Sequence, residues 1–255
     1  MHRTRLESER LFHDEQAAQR AGALRPCDYV FSDDAYLQHE SWIAPALDLL
    51  GEVRGKRILD LGCGHGMASV VLARRGAQVI GCDLSAGYVQ EASQRAKANH
   101  ASVQHVVCDA ERLPFADEAF DGIWGNAILH HLDLELAAAE LRRVLAPGGQ
   151  AVFCEPWAGN RLLNWARREL PYPGKHRTAD ESPLTFADLC RLKRSFPRLR
   201  VRGYQILAML GRLCRSSWLL AGLRWCDDWL LMKWPGWQRY CRYVVLHFAK
   251  FSPPS

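Results

Sequence analysis

Residues 60–66, with the sequence Asp-Leu-Gly-Cys-Gly-His-Gly, decide the fold of this chain. A short apolar run at 57–61 leads into the glycines, and residues 67–73 behind them favour a helix. The order predicts a strand, a glycine-rich turn and a helix. Glycines at alternate positions let the backbone turn sharply and approach a ligand. The free N–H groups at the start of the helix would then face that ligand.

A second apolar run, residues 78–82, ends at Asp83. An acid about 20 residues beyond such glycines suits the hydroxyl groups of a ribose. The dinucleotide fingerprint needs G-x-G-x-x-G, but Met67 stands where its third glycine would be. No G-K-[ST] follows, which excludes a P-loop. The pattern therefore predicts a nucleoside-containing cofactor at a sheet edge, and the alternative is a purely structural glycine turn.

The rest of the chain alternates predicted strands with predicted helices, which indicates an α/β fold, doubly wound, with helices on both faces of a mostly parallel sheet. The seven predicted strands are 57–61, 78–82, 103–108, 120–125, 150–155, 198–206 and 240–251. The predicted helices are 6–21, 36–50, 66–75, 85–99, 133–145, 161–170, 185–195 and the apolar stretch 207–236. We expect Ser85 and Asp133 to cap two of these helices.

Composition limits the class of protein. The 255 residues suffice for one α/β domain with insertions. Nine cysteines are scattered without a C-x-x-C pair, so we expect reduced thiols and neither a disulfide framework nor a metal site. The polar start predicts no signal peptide, and we expect a cytoplasmic protein.

Charge divides the chain into two parts. Residues 1–155 hold 15 Lys and Arg against 22 Asp and Glu, whereas residues 156–255 hold 18 against 6 and seven of the nine tryptophans. A basic, tryptophan-rich region favours a membrane surface, a lipid substrate or RNA as partner. The alternative is a solvated basic face with tryptophans in the core. Charged residues interrupt the stretch 207–237 too often for it to span a bilayer, so we expect it to lie on a membrane surface or to shape an apolar pocket.

The acid two residues before G-x-G-x-G resembles the first motif of the class I S-adenosylmethionine (SAM) methyltransferases, in their small-molecule and quinone-type branch. Asp109-Ala110 after the third strand, the loop 126–132 after the fourth and Pro-Gly-Gly at 147–149 match that family in order and spacing. The resemblance covers about residues 55–155. It implies a SAM-binding core at 55–155, a helical lid at 1–50, and acceptor-side insertions with strands six and seven at 156–255, in one methyltransferase domain whose last strand is antiparallel.

The resemblance also implies the cofactor site. Its predicted residues are Asp60, Gly62, Cys63 and Gly64 at the turn, Asp83 and Leu84 at the ribose, Asp109 and Ala110 at the adenine, and Asn126 at the methionine part. The implied cofactor is SAM, as methyl donor, without a metal.

Methyl transfer requires a nucleophile held in line with the sulfonium and shielded from water. A general base is needed only when the acceptor keeps its proton at neutral pH, as a hydroxyl does. His130 and His131 are the candidate bases, and the alternative is a structural loop. Glu155 lies at the same sheet edge, where it would act in the site or accept a local backbone hydrogen bond.

The loop after the fourth strand lacks the N-P-P-[YF] motif, which argues against DNA adenine and amide nitrogen as acceptors. We therefore expect a SAM-dependent methyltransferase that acts on a small or lipid-like molecule, at oxygen. One alternative is an RNA or protein methyltransferase that docks through the basic part, although nucleic acid is disfavoured. The other is a SAM-binding regulatory protein without turnover.

Overall fold

The strand that leads into the glycine turn, β1 (Arg57–Leu61), is an interior strand, third from one edge of a seven-stranded sheet. The computed structural model describes residues 2–169, 182–213 and 216–251. The other strands are β2 (Gln78–Asp83), β3 (Val103–Val107), β4 (Phe120–Asn126), β5 (Leu145–Pro156), β6 (Arg200–Tyr204) and β7 (Tyr243–Ala249). Their order is β3-β2-β1-β4-β5-β7-β6, and β7 runs antiparallel to both neighbours. The predicted sheet, with its antiparallel last strand, is confirmed.

Helices cover both faces of the sheet. They are α1 (His2–Ala21), α2 (Asp33–Leu37), α3 (Ile43–Asp48), α4 (Met67–Arg74), α5 (Ala86–Ala98), α6 (Leu134–Val144), α7 (Arg161–Glu169), α8 (Phe186–Ser195) and α9 (Ser217–Lys233). The predicted caps are confirmed, because the Ser85 side chain accepts from the N–H of Tyr88 and the Asp133 side chain from that of Glu135.

Alternation along β1 explains why both faces are covered. Ile58 packs on one face in a cluster with Leu47 of α3, whereas Leu59 packs on the other with Leu141 of α6. These side chains are almost fully buried. Because successive strand residues point to opposite faces, a strand with apolar side chains buried on both faces needs helices on both sides.

The single helix predicted at 36–50 is wrong. Two short helices, α2 and α3, stand there instead, with a turn between them. Pro45 is the third residue of α3, a position whose backbone N–H has no partner within the helix, so a helix that contains this proline begins just before it. Trp42 in the turn is buried and stacks on Tyr243 of β7, with ring centroids 4.0 Å apart.

Strand β5 begins five residues earlier than predicted. Leu145 already pairs with Phe120, and the register shifts before Gln150 pairs with Gly122. The Pro-Gly-Gly turn therefore forms an irregularity at the start of β5 rather than a separate loop.

The apolar stretch predicted at 207–236 forms a 3-10 helix at 208–213, helix α9 and a second 3-10 helix at 235–240. Asp227 connects α9 to the chain segment that follows β6. Its buried carboxylate accepts from the backbone N–H groups of Ile206, Leu207 and Ala208 at 2.7–3.0 Å. Among the described residues, no helix is both long and apolar enough to cross a membrane.

Candidate functional site

The turn after β1 needs its glycines for backbone conformation and for space. Gly62, Gly64 and Gly66 have φ angles of 65°, 49° and 80°, in the left-handed region that favours glycine. A Cβ at Gly62 would lie 2.8 Å from the Ile128 side chain, and one at Gly66 would lie 2.7 Å from Ala92 of α5. The turn therefore packs tightly against the loop after β4 and against α5.

A cavity of about 230 Å³ lies above this turn, at the carboxyl ends of the parallel strands. That edge is where ligands bind in open α/β sheets. Of the predicted cofactor residues, seven line the cavity: Gly62, Gly64, Asp83, Leu84, Asp109, Ala110 and Asn126. His131, one of the two candidate bases, also lines it.

Asp60 and Cys63, also predicted at the cofactor, are buried and do not line the cavity. Asp60 is turned by strand alternation toward α4, where its carboxylate accepts from the Ser69 hydroxyl at 2.5 Å. Burial raises the pKa of Asp60 to about 7, and the nearby Asp83 carboxylate adds to the rise. Burial likewise raises the pKa of the Cys63 thiol. The Asp60 side chain thus connects β1 to α4.

Asp83 connects the glycine turn to the end of β2. Its Oδ2 accepts from the N–H of Gly64 at 2.9 Å, and its Oδ1 accepts from the N–H of Ser85 at the same distance. Burial raises the pKa of Asp83, whereas these backbone bonds and the neighbouring His13 lower it. On the next strand, Asp109 accepts from the N–H of Glu111 at 2.8 Å. Each acid is thus held in place by the backbone.

Helix α1 closes the cavity from above with Leu6, Glu9, His13 and Gln16. The sequence indicates a helical lid here but gives no signal for these individual residues, because their contacts depend on how the helix docks. Arg20 pairs with Glu91 of α5 at 3.0 Å, and Arg5 donates to the backbone carbonyl of His131 at 2.7 Å.

His130 and Glu155 form a buried pair at the same sheet edge. The His130 Nδ1 lies 2.7 Å from Glu155 Oε2, with the His130 side chain 3% exposed and the Glu155 side chain fully buried. Glu155 Oε1 accepts from the N–H groups of Ile128 and Leu129 at 3.0 and 2.8 Å. Glu155 therefore fixes the loop after β4 through the local backbone hydrogen bonds considered for it and also contacts one candidate base, while a role in the reaction stays a prediction.

A second cavity, of about 390 Å³, adjoins the first and is lined by both His130 and His131. The two cavities share Glu9, His131 and Leu132 as walls. Helix α8 contributes Asp188 and Arg191 to the outer side. The loop after β4 thus divides two adjacent spaces, with His131 lining both of them and His130 lining only the second.

Comparison with known proteins shows similarity to methyltransferases. The family model described as a methyltransferase domain matches residues 59–153. A demethylmenaquinone methyltransferase of Thermobifida fusca is 33% identical over 163 residues, which are 61% of this chain and 69% of that protein. A ubiquinone biosynthesis O-methyltransferase of Rhizobium etli is 39% identical over 128 residues, or 46% of this chain and 52% of that protein. The chain spans about half the length of several such relatives, including 49% of a demethylmenaquinone methyltransferase of Beutenbergia cavernae.

Among solved structures, the geranyl diphosphate C-methyltransferase of Streptomyces coelicolor A3(2), bound to Mg²⁺, geranyl diphosphate and S-adenosyl-L-homocysteine, shares the fold. Its TM-score is 0.59 at 19% identity, over 86% of this chain and 82% of that one. The sheet order, the glycine turn and the acids at the strand ends define a class I, Rossmann-like SAM-dependent methyltransferase. Within that class, the chain belongs to the quinone-type branch, which confirms the resemblance seen in the sequence.

Proposed function

We propose that this protein transfers a methyl group from SAM to a hydroxyl oxygen of a small, quinone-type or lipid-like acceptor. The observation that carries the proposal is the buried His130–Glu155 pair, 2.7 Å apart, beside the cavity with the SAM-type residues. A hydroxyl must lose its proton during transfer, and a histidine oriented by a carboxylate is a common way to accept one.

The first cavity has the donor set that SAM requires. Gly62 and Gly64 form a wall without side chains, and Asp83 and Asp109 present carboxylates at two neighbouring strand ends. Carboxylates suit ribose hydroxyls and an adenine amino group, respectively. When bound there, SAM supplies an electrophilic methyl group. Helix α1 excludes water from that space with Leu6, Glu9, His13 and Gln16.

The second cavity is the proposed acceptor site, because His130 lines it and His131 separates it from the first. Glu155 Oε2 lies 2.7 Å from His130 Nδ1 and orients the ring, and in this proposal the Nε2 atom of the same ring takes the proton of the acceptor hydroxyl. Glu155 is a positioning residue in this scheme, since it touches His130 and the backbone rather than the acceptor. The relative from Rhizobium etli is an O-methyltransferase by name, which supports oxygen as the acceptor atom.

The test is methyl transfer from labelled SAM to a short-chain substituted hydroquinone, with the product analysed by mass spectrometry and NMR. The expected product is a methyl ether. The matched control is the hydroquinone with both hydroxyls already methylated, which should gain no label. A ring-methylated product, or label transferred equally to the blocked compound, would contradict oxygen as the acceptor.

SAM binding is tested separately by isothermal titration calorimetry. Binding without turnover on any hydroquinone would favour the regulatory alternative. Turnover on RNA or protein together with no turnover on hydroquinones would favour the macromolecular one.

We also propose that the exposed aromatic residues on and after α9, which we call the tryptophan surface, contact lipid. Trp218 and Trp225 are 77% and 69% exposed, so they do not belong to the core. The other members are Trp229, Met232, Trp234, Trp237 and Tyr240. Helix α9 carries two basic residues, Arg224 and Lys233, against the buried Asp227 and the exposed Asp228, so it has no strongly positive face, which favours an aromatic contact with a membrane interface over an electrostatic contact with RNA.

Peripheral membrane contact would bring the protein to a lipid-like acceptor from the cytoplasm. The eight cysteines in the described ranges are free thiols, which supports a reducing compartment. The test is co-sedimentation with vesicles of phosphatidylcholine and phosphatidylglycerol. Trp218→Ser with Trp225→Ser should reduce binding, whereas Trp165→Ser, an exposed tryptophan on α7, should not. A wild-type protein that stays wholly in the supernatant would contradict the contact.

A further inference from the structure

Three ligand-type side chains from two distant parts of the chain converge between the lid and the loop after β4. Glu9 and His13 lie one turn apart on α1, and His131 lies in the 3-10 turn at 129–131. Their ligand atoms all lie within 4.8 Å of one another. Glu9 is buried and the two histidines are half-buried. Because 118 residues separate His13 from His131, the sequence gives no indication of this cluster.

Glu9 hydrogen-bonds to His13, and the distances within the cluster also fit a shared ion. Glu9 Oε2 lies 3.4 Å from His13 Nε2 and 3.3 Å from His131 Nδ1. Direct charge-assisted hydrogen bonds are about 2.7–2.9 Å long. An ion with tetrahedral bonds of about 2.0–2.1 Å separates its ligand atoms by about 3.4 Å. His131 Nδ1 is buried and accepts or donates no hydrogen bond within the described part of the chain.

Neighbouring groups hold the ligands in orientation, as is usual around metal sites. The side chain of Gln16 hydrogen-bonds to His13 and in turn accepts from the Tyr88 hydroxyl at 3.2 Å. Arg5 donates to the backbone carbonyl of His131 at 2.7 Å. The ring of His13 meets that of His131 edge-on, with centroids 5.5 Å apart.

We propose that Glu9, His13 and His131 bind one divalent transition-metal ion. Two imidazole nitrogens and one carboxylate suit Zn²⁺, Fe²⁺ or Co²⁺, whereas Mg²⁺ and Ca²⁺ prefer oxygen ligands. Glu9 and His131 line both cavities, so the remaining coordination positions are open to a bound small molecule or water. Such an ion joins the lid helix α1 to the loop after β4. It also distinguishes the two histidines, since His131 binds metal while His130 faces the acceptor.

The test is titration of the chelator-treated, full-length protein with Co²⁺ alone, followed by visible absorption, whose bands report on nitrogen ligation. The wild type should bind one equivalent. His13→Ala and, separately, Glu9→Gln should weaken binding at least about tenfold. The matched control is His39→Ala, which removes an exposed histidine outside the cluster. Circular dichroism of the metal-free variants shows whether each one folds, and Glu9→Gln preserves the size of the side chain.

Two results would overturn the site. One is Co²⁺ affinity in both folded cluster variants equal to that of the wild type. The other is saturation by Mg²⁺ at the same concentration as Co²⁺, which would indicate a nonspecific acidic surface.

Discussion

The cofactor edge and the acceptor side of this protein differ in how far apart in sequence their contacting residues lie. Gly64 and Asp83, which touch across the cofactor edge, are 19 residues apart. Arg5 and the carbonyl of His131, which touch across the acceptor side, are 126 residues apart. A glycine turn and the next strand end form one compact unit, whereas the acceptor side forms only when the lid helix docks.

This difference has a consequence for chemistry. The cofactor edge consists of left-handed backbone conformations that favour glycine and of two Asp carboxylates held by backbone N–H groups. The acceptor side consists of side chains that α1, the loop after β4 and β5 bring together. Changes at the cofactor edge should therefore affect SAM binding and folding, and changes at the acceptor side should affect turnover with less effect on SAM.

The largest effect is expected at His130. His130→Gln removes the proposed base and should lower kcat on a hydroquinone by about 10²–10⁴-fold. The SAM dissociation constant should stay the same, because His130 faces the second cavity rather than the first. Steady-state kinetics and calorimetry measure the two quantities.

Glu155→Gln is the companion change, because its amide oxygen still accepts from Ile128 and Leu129 while the charge beside His130 is lost. It should lower kcat and leave KM nearly unchanged. A loss of loop structure alone would raise KM as well. A His130→Gln enzyme with kcat within a factor of about three of the wild type would remove His130 from catalysis.

A pH-dependent stability effect is expected at Asp60 of the cofactor edge. Burial raises its pKa from 3.8 to about 7. The nearby Asp83 charge also raises the pKa, whereas the hydrogen bond from Ser69 lowers it. Between these two pH values the folded protein keeps a proton that the unfolded chain has released. Asp60 therefore lowers the free energy of unfolding as pH rises from about 4 to about 7.

An asparagine side chain does not titrate in this range. The stability of Asp60→Asn relative to the wild type should therefore rise as the pH increases from about 4 to about 7. At about 1.4 kcal/mol per unit of pKa, the relative gain reaches about 4 kcal/mol above pH 7. Urea unfolding of both proteins at pH 4.5, 6 and 8 measures the difference. A difference that stays constant with pH would show that Asp60 is ionised in the folded protein throughout.

The sequence predicts the parallel strands and the functional residues at their ends, because each motif lies within one short stretch of the chain. The glycine positions, Asp83 and Asp109 all follow directly from a strand end and its turn, so spacing along the chain places them. The same reasoning does not show that Asp60 and Cys63 lie outside the cavity lining, because strand alternation and the twist of the turn decide which side chain faces the cavity. Pro45 signals an irregularity in the helix predicted at 36–50, but the break at 38–42 is not predicted, since the docking of Trp42 on Tyr243 is a contact between distant elements.

Candidate acceptor residues are predicted less completely. His130, His131 and Glu155 are found as residue types at the correct sheet edge, but their pairing depends on loop geometry. Glu9 and His13 carry no signal at all, because a polar amphipathic helix gives no indication of which face covers the cavity. The sequence therefore predicts contacts within a single strand-turn-helix unit, but not the contacts between units that are distant along the chain.

A smaller effect is expected for Asp83 at the cofactor edge. Asp83→Ala removes a carboxylate that holds Gly64 and is placed to meet the ribose, so SAM affinity should fall about 10–100-fold, or about 1.4–2.8 kcal/mol. The control is Asp121→Ala, which changes the same residue type at the opposite edge of the sheet, beside Arg57. Calorimetry with SAM compares them. Equal affinity in both variants would show that Asp83 supports the turn without binding the cofactor.

The smallest effect is expected where the lid docks on the cofactor edge, at Arg20. Arg20 pairs with the buried Glu91, but Glu91 also accepts from Arg95 at 2.7 Å. Arg20→Ala therefore leaves no uncompensated buried charge, and with its side chain 42% exposed the pair should contribute only about 0.2–1 kcal/mol to stability.

Arg10→Ala, which replaces an exposed arginine on the same helix, is the control for the loss of one positive charge. Urea unfolding of the three proteins gives the comparison. A loss above about 2 kcal/mol for Arg20→Ala alone would mean that α1 docks mainly through this ion pair. The lid would then belong energetically to the cofactor edge rather than to the acceptor side.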